Sequence, residues 1–188
     1  MNVTILGAGA WGTALAVQAA ARHAVCLWSR SAEQAASMRS SRRNERYLPG
    51  VALPPQLRLS ANFAAATAAG AGGLIVIATP MSGLRSMLSA LPAGASALWL
   101  CKGLEAGSGR LGHEIAAELR PGAPAGILSG PSFADEVARG QPTALVAASA
   151  DAALREQTAE VFHADALRIY TSDDPVGVEV GGAVKNVM

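Results

Sequence analysis

The chain has 188 residues, 51% of them apolar and 15% charged, with a formal net charge of +1. That length suits one substantial core, or one domain with a stub. A balance so close to neutral removes any whole-chain electrostatic case for nucleic acid. In chain order, Asn2 to Leu6 reads as a short buried strand, followed by the turn GAGAWG and a helix to about Ala21. No charge precedes Arg22, but this opening lacks a basic leader and is mostly Gly and Ala, so neither a signal peptide nor a membrane span is expected. AVCLWS (24–29) is a second strand and Ser31 to Arg43 is helix-like. NERYLPG (44–50) is expected to be a loop, leading through a proline-rich passage to a strand at Arg58 to Ser60. Asn62 reads as the N-cap of a helix ending near Gly70.

GLIVIAT (73–79) is the clearest strand, a continuous β-branched run closed by Pro80, which opens a helix to about Leu91. SALWLC (96–101) is another strand, followed by Lys102, Gly103, a loop and a helix from about Leu111 to Leu119. AGILSG (125–130), a short helix from Phe133 to Arg139, and TALVAAS (143–149) come next. Asp151 is placed to cap a helix to Phe162, and ALRIYTS (166–172) is the last strand. Strands separated by helices of ten to fifteen residues point to an α/β fold: a doubly wound, mostly parallel sheet of Rossmann type with helices on both faces. Residues 1–174 read as one dinucleotide-binding domain, and 175–188 as the first helix of a further helical domain. The run EVGGAVKNVM ends inside that helix with no stop signal, so the chain reads as a fragment. Cys26 and Cys101 each fall in an apolar run and are expected to be reduced, buried thiols.

Gly7-Ala8-Gly9-Ala10-Trp11-Gly12 fits G-x-G-x-x-G between a strand and a helix. Gly7 permits the tight turn, Gly9 lets the backbone approach a pyrophosphate, and Gly12 lets the helix pack closely. The helix start then offers free N–H groups to phosphate. Trp11 is expected either over the cofactor or covering the first helix. The second strand ends Trp28-Ser29-Arg30, with arginine where an acid would hold the ribose hydroxyls of NAD. A guanidinium there suits a 2′-phosphate, so the cofactor is NADP or NAD, with NADP slightly favoured. The arginines at 39, 42, 43 and 46 are read first as a solvated face and second as an anion-binding loop. Nucleic-acid recognition lacks both a motif and interleaved aromatics.

Only two lysines, Lys102 and Lys185, stand against thirteen arginines. A compact ammonium with an adjustable pKa is one reason to write lysine where arginine is the habit. Lys102 follows an apolar strand, at the edge where ligands bind in open α/β sheets. Lys185 lies beside Asn186, after Gly181 and Gly182. Reduction of a carbonyl leaves an alkoxide, which an ammonium can protonate, and burial or a second lysine would lower its pKa into the working range. Solvent-facing caps are the plainer alternative for both. His23, His113 and His163 have no company that competes for this role, and no metal-ligand spacing or nucleophile motif is present. Ser132, in GPSFA, is placed either to cap the following helix or to touch a phosphorylated substrate.

With these residues in view, the chain resembles the N-terminal part of bacterial NAD(P)-dependent glycerol-3-phosphate dehydrogenases. The resemblance rests on GAGAWGTALA (7–16), NERYLPG (44–50), ATP (78–80), CKGLE (101–105), LSGPSFADEVARGQPTALV (128–146) and SDDPVGVEVGGAVKNVM (172–188). It implies reduction of dihydroxyacetone phosphate to sn-glycerol 3-phosphate, supplying glycerophospholipid synthesis in the cytoplasm. It implies Lys185 as catalytic acid/base, Asn186 as its companion, and Lys102 as a catalytic and substrate-binding residue near the nicotinamide. Gly130 and Ser132 match substrate-contacting positions, while Ala10, Trp11, Arg30 and Ala134 match cofactor-contacting ones. The family also has a helical C-terminal domain, and leaves room for a homodimer of the full-length enzyme. The shortened turn ARHAV (21–25) departs from the pattern. A 6-phosphogluconate or ketopantoate type of dehydrogenase is the alternative enzyme, and a nucleotide-binding module without turnover the alternative to an enzyme; without the helical domain, the 188-residue chain itself is expected to be poorly active or inactive.

Overall fold

The computed structural model describes residues 1–184. The first strand, β1 (Asn2–Leu6), leads through the glycine turn into α1 (Ala10–Ala20) and β2 (Ala24–Trp28). After α2 (Ala32–Ser41) come a small hairpin of β3 (Arg43–Asn44) and β4 (Leu48–Ala52), then β5 (Arg58–Ser60). The middle of the chain is α3 (Phe63–Ala69), β6 (Leu74–Ile77), α4 (Met81–Ala90), β7 (Ala97–Trp99) and α5 (Gly112–Leu119). The remainder is β8 (Ala125–Ser129), α6 (Ala134–Ala138), β9 (Thr143–Ala148), α7 (Ala152–Phe162), β10 (Leu167–Ser172) and α8 (Pro175–Val184).

Eight strands form one sheet in the order β10-β9-β8-β7-β6-β1-β2-β5. Every pairing is parallel except β8 with β9. This is the expected Rossmann-type sheet. Its strands are apolar on both faces because both are covered. Val3, Ile5, Leu74 and Val76 join Leu15 and Phe162 in one core, while Leu6, Ile75 and Ile77 join Leu84, Leu88 and Ile115 in the other. The period-2 alternation of a strand therefore sends hydrophobic side chains both ways. Thr4 interrupts the run and is buried, but its hydroxyl donates to the Ala66 carbonyl at 2.8 Å, so no polar group is stranded.

Local signals account for several helix starts. The side chains of Ser31, Asn62 and Asp151 accept from backbone N–H groups three residues on, starting α2, α3 and α7. Three details differ from the sequence reading. NERYLPG is not all loop: its ends pair as the β3–β4 hairpin, off the main sheet. Cys101 lies past the end of β7; its thiol is nevertheless pushed up to about 12 by burial, while Cys26 is buried within β2. Ser132 does not cap α6, whose N-cap is Phe133. The Glu136 carboxylate accepts from the Phe133 N–H at 2.9 Å, and the Ser132 hydroxyl instead donates to the Ala144 carbonyl at 3.2 Å.

Candidate active site

The chain runs outward from β1 to β2 and β5, then returns to lay β6 on the other side of β1. That reversal opens a crevice at the carboxyl ends of β1 and β6, the usual ligand position in such sheets. A cavity of about 320 Å³ and one of about 610 Å³ lie along this edge. The larger is the crevice itself, with Gly7, Gly9, Arg30, Arg46, Thr79 and Pro80 on its walls.

The three glycines of the turn do different work. Gly7 has φ +125°, and a Cβ there would come within 2.7 Å of the Ala78 carbonyl oxygen, so both conformation and space require glycine. A Cβ on Gly12 would overlap the Gly7 carbonyl and come within 2.9 Å of the Ala78 Cβ. A Cβ on Gly9 would meet no protein atom within 4 Å. Nothing in the protein's own packing requires glycine at that point, and the open space is on the side where a phosphate approaches a helix start. The turn is braced from outside: the amides of Gln34 and Asn44 donate to the Ala8 carbonyl at 2.8 and 3.0 Å, and Asn44 also donates to Thr13 Oγ1 at 2.7 Å. Gln34 and Asn44 carry no sequence motif of their own, although Asn44 opens the family-like NERYLPG stretch.

Arg30 is exposed and lines this crevice. Of the arginines at 39, 42, 43 and 46, all but Arg42 are exposed, as a solvated face requires. Arg42 takes the left-handed cap position of α2 at φ 51° and donates to the Leu57 carbonyl at 3.2 Å. Arg39 donates to the Leu59 carbonyl at 3.3 Å and Arg43 pairs with Glu45 at 3.6 Å. Arg46 alone of the four reaches the crevice, beside Tyr47, whose ring it overlies at 5.1 Å.

The smaller cavity lies further along the same edge, at the ends of β7 and β8 and under α8, and includes Lys102, Ser129, Gly130, Gly181 and Gly182. Lys102 Nζ donates to the Gly130 carbonyl at 2.8 Å, which joins two of the expected site residues directly. Gly130 has no room for a side chain, since a Cβ would come within 2.7 Å of the Ala144 carbonyl oxygen. Trp11, in the first turn of α1, lines a small recess with Lys102 and Gly130, and packs partly on the core. Ala10 also packs partly on that core, and Ala134 is buried in it at the start of α6, lining neither of the two cavities. Ser132 is nearly buried, with its hydroxyl turned to Ala144. Lys185 and Asn186 lie outside the described residues.

The loop after Lys102 is held by charge. Arg85 on α4 grips Glu105 through two contacts of 2.8 and 2.9 Å, and reaches Glu118 on α5 at 3.0 Å. Ser108 donates to Glu105 at 2.6 Å. The hydrogen bonds from Arg85, then from Ser108, hold the Glu105 carboxyl down at about 2, against an ordinary 4.5. A depressed carboxylate pKa stabilises the fold above the unfolded value, and that contribution fades as pH falls through the folded one. Glu105→Gln should therefore leave a thermal-unfolding midpoint that changes less steeply between about pH 4.5 and pH 2 than the wild type does. Parallel slopes for the two proteins in that window would reject the assignment.

Among the described residues, no helix is long and apolar enough to cross a membrane, and no group of His, Cys, Asp and Glu could hold a metal ion.

Comparison with known proteins agrees with this geometry. The family model described as NAD-dependent glycerol-3-phosphate dehydrogenase N-terminus matches residues 2–155. A glycerol-3-phosphate dehydrogenase [NAD(P)+] of Methylibium petroleiphilum is 66% identical over the whole chain, which covers 57% of that protein. The corresponding protein of Leptothrix cholodnii is 55% identical, and the chain covers 59% of it. The crystal structure of glycerol-3-phosphate dehydrogenase from Coxiella burnetii superimposes with a TM-score of 0.90 at 36% identity, over 98% of this chain and 57% of that one. The chain thus spans somewhat more than half the length of the curated relatives it matches.

Proposed function

This chain belongs to the NAD-dependent glycerol-3-phosphate dehydrogenase family, and from that premise we propose that the protein reduces dihydroxyacetone phosphate to sn-glycerol 3-phosphate with NADPH or NADH, reversibly. The observation that carries the reading is the seating of Lys102: an ammonium fixed on the Gly130 carbonyl, on the same strand edge as the glycine-turn crevice. A bound reduced nicotinamide would supply the hydride for C2 of the ketone. The chain's own residues hold the reactants and manage the proton. Gly7, Gly9 and Gly12 shape the turn, and the first turn of α1, with Ala10 and Trp11, offers its N–H groups to the pyrophosphate. Arg30 would receive the 2′-phosphate of NADP, and Ala134, buried at the start of α6, would support the cofactor only through the packing of that helix.

As the carbonyl oxygen gains charge, Lys185 donates the proton that neutralises it, and Asn186 orients Lys185 or the substrate. Lys102 stabilises the same developing charge from the strand edge. Gly130, which lines the smaller cavity, contacts the phosphorylated substrate, and the Ser132 hydroxyl would have to leave the Ala144 carbonyl to join it. The product is the backbone precursor of glycerophospholipids, which gives the protein a place in cytoplasmic lipid metabolism. A substrate panel tests the reading: oxidation of NADPH should require dihydroxyacetone phosphate. Oxidation with 2-ketopantoate and none with dihydroxyacetone phosphate would replace it with the ketopantoate type.

Cofactor choice has its own test. A guanidinium–phosphate contact contributes through charge-assisted hydrogen bonds, so Arg30→Ala should weaken NADPH binding roughly ten- to a hundredfold. NADH lacks the 2′-phosphate, and its affinity should scarcely change. Calorimetric titration of both cofactors into both proteins separates the cases, and equal losses for NADH and NADPH would defeat the argument.

A further inference from the structure

Glu179 is a carboxylate at 3% exposure in the middle of α8, and the proton transfer outlined above does not use it. It is fully satisfied. Its Oε1 accepts from the Trp99 indole N–H at 3.0 Å and from the His113 backbone N–H at 3.1 Å, and its Oε2 lies 2.5 Å from His113 Nδ1. These partners come from the end of β7 and the first turn of α5, so one side chain ties three elements together. The space for it is built in. A Cβ on Gly112 would come within 2.6 Å of Trp99 Nε1 and 2.7 Å of Glu179 Oε1, so the carboxylate occupies room that a side chain at 112 would fill.

An apolar residue is often as stable in such a place as a buried, hydrogen-bonded carboxyl group. Stability alone is therefore a poor reason for Glu179. Position is a better one. Gly182 lies three residues further along α8, on the same helical face. There α8 rests on Lys102: a Cβ on Gly182 would sit 3.1 Å from Ser129 Oγ and 3.4 Å from Lys102 Cγ. Lys185 is three residues beyond Gly182 in the sequence.

We propose that Glu179, gripped by Trp99 and His113, is a positioning residue that sets the height and register of α8 over Lys102 and so the shape of the substrate-side cavity. The proposal rests on the functional reading above. Hydrogen bonds of fixed direction do what apolar packing does poorly: they define one seating of the helix, and a shift of about 1 Å in a reacting group can cost a hundredfold in rate.

The test uses three variants in the full-length protein, assayed for dihydroxyacetone phosphate reduction. Glu179→Leu removes the grip, Trp99→Phe removes one donor while keeping an aromatic ring, and Glu179→Gln keeps an oxygen for the indole and backbone N–H groups. We expect Glu179→Leu to lower kcat about ten- to a hundredfold with NADPH affinity unchanged. Trp99→Phe should lower it less, and Glu179→Gln should restore most of it. In the wild type, the Trp99 indole N–H resonance should be displaced downfield of those of Trp11 and Trp28, and it should move upfield in Glu179→Leu. Amide exchange over 175–184 should quicken in Glu179→Leu only. Faster exchange with unchanged kcat would overturn the positioning role, and a Gln variant as poor as Leu would do the same. Unchanged exchange in Glu179→Leu would overturn the grip itself. A wild-type protein that does not reduce dihydroxyacetone phosphate would sink the functional reading instead, and the grip would then stand or fall on the exchange and indole results.

Discussion

Lys102→Met should lower the rate of dihydroxyacetone phosphate reduction by about 10²- to 10⁴-fold while leaving NADPH affinity close to that of the wild type. Methionine keeps an unbranched apolar stem of similar length, so the packing of that stem near Gly182 survives, and only the ammonium is lost. Lys102 Nζ donates to the Gly130 carbonyl at 2.8 Å, which fixes the ammonium in place. Electrostatic help of this kind costs no reorganisation at the moment of reaction, which is why its removal falls on turnover. Lys102→Arg should rescue poorly, because a planar guanidinium cannot take the seat of a compact ammonium beside the Gly130 carbonyl. Steady-state kinetics with a parallel NADPH titration decide the matter. A Met variant with wild-type kcat would remove Lys102 from the chemistry.

The glycine turn gives the second large effect, and its two halves pull apart. Gly12→Ala should lower stability by about 1–3 kcal/mol, because the new methyl overlaps the Gly7 carbonyl and crowds Ala78. In a chain of this size that corresponds to a fall of roughly 2–12 °C in Tm. Gly9→Ala meets no protein atom within 4 Å, so it should leave Tm almost unchanged and act on the cofactor instead. NADPH binding should weaken strongly in both, through a displaced turn in one and a blocked approach in the other. Thermal unfolding with and without NADPH reads both quantities. If Gly9→Ala binds NADPH like the wild type, the pyrophosphate does not pass over Gly9.

These contrasts also explain which features could be read from residue order. The strands at Asn2–Leu6 and Leu74–Ile77 are short, apolar and closed by Gly or Pro, and the caps at Asn62 and Asp151 act within three residues. Physics on that scale is visible in a string of letters. The β3–β4 hairpin was hidden because Pro49 and Gly50 interrupt β4, and such residues belong to edges and bulges and read as loop. Arg42, the residue that turns α2 toward the hairpin at φ 51°, carries no glycine signal there.

The site divides along the same line. The G-x-G-x-x-G turn and the isolated Lys102 announce themselves, one by its spacing and the other by contrast with thirteen arginines. The braces do not. Asn44 reaches back thirty-six residues to Ala8, and Glu179 reaches back eighty to Trp99. No local pattern marks a carboxylate that is buried because an indole and a helix start happen to face it. Arg85 and Glu105 are similarly twenty residues apart, joined only once α4 lies beside the loop after Lys102. Distance in sequence, more than chemistry, separates what was legible from what was not.

On the proposed reading, one dinucleotide lies along the strand edge from Arg30, across the glycine turn, to Lys102. Titration of NADPH into the 188-residue chain, followed by backbone amide shifts, tests it most directly. Gly7, Gly9, Arg30 and Lys102 should shift together, saturating with a single Kd. Shifts confined to the far ends of the strands, or a Lys102 amide that stays still while Arg30 saturates, would contradict it.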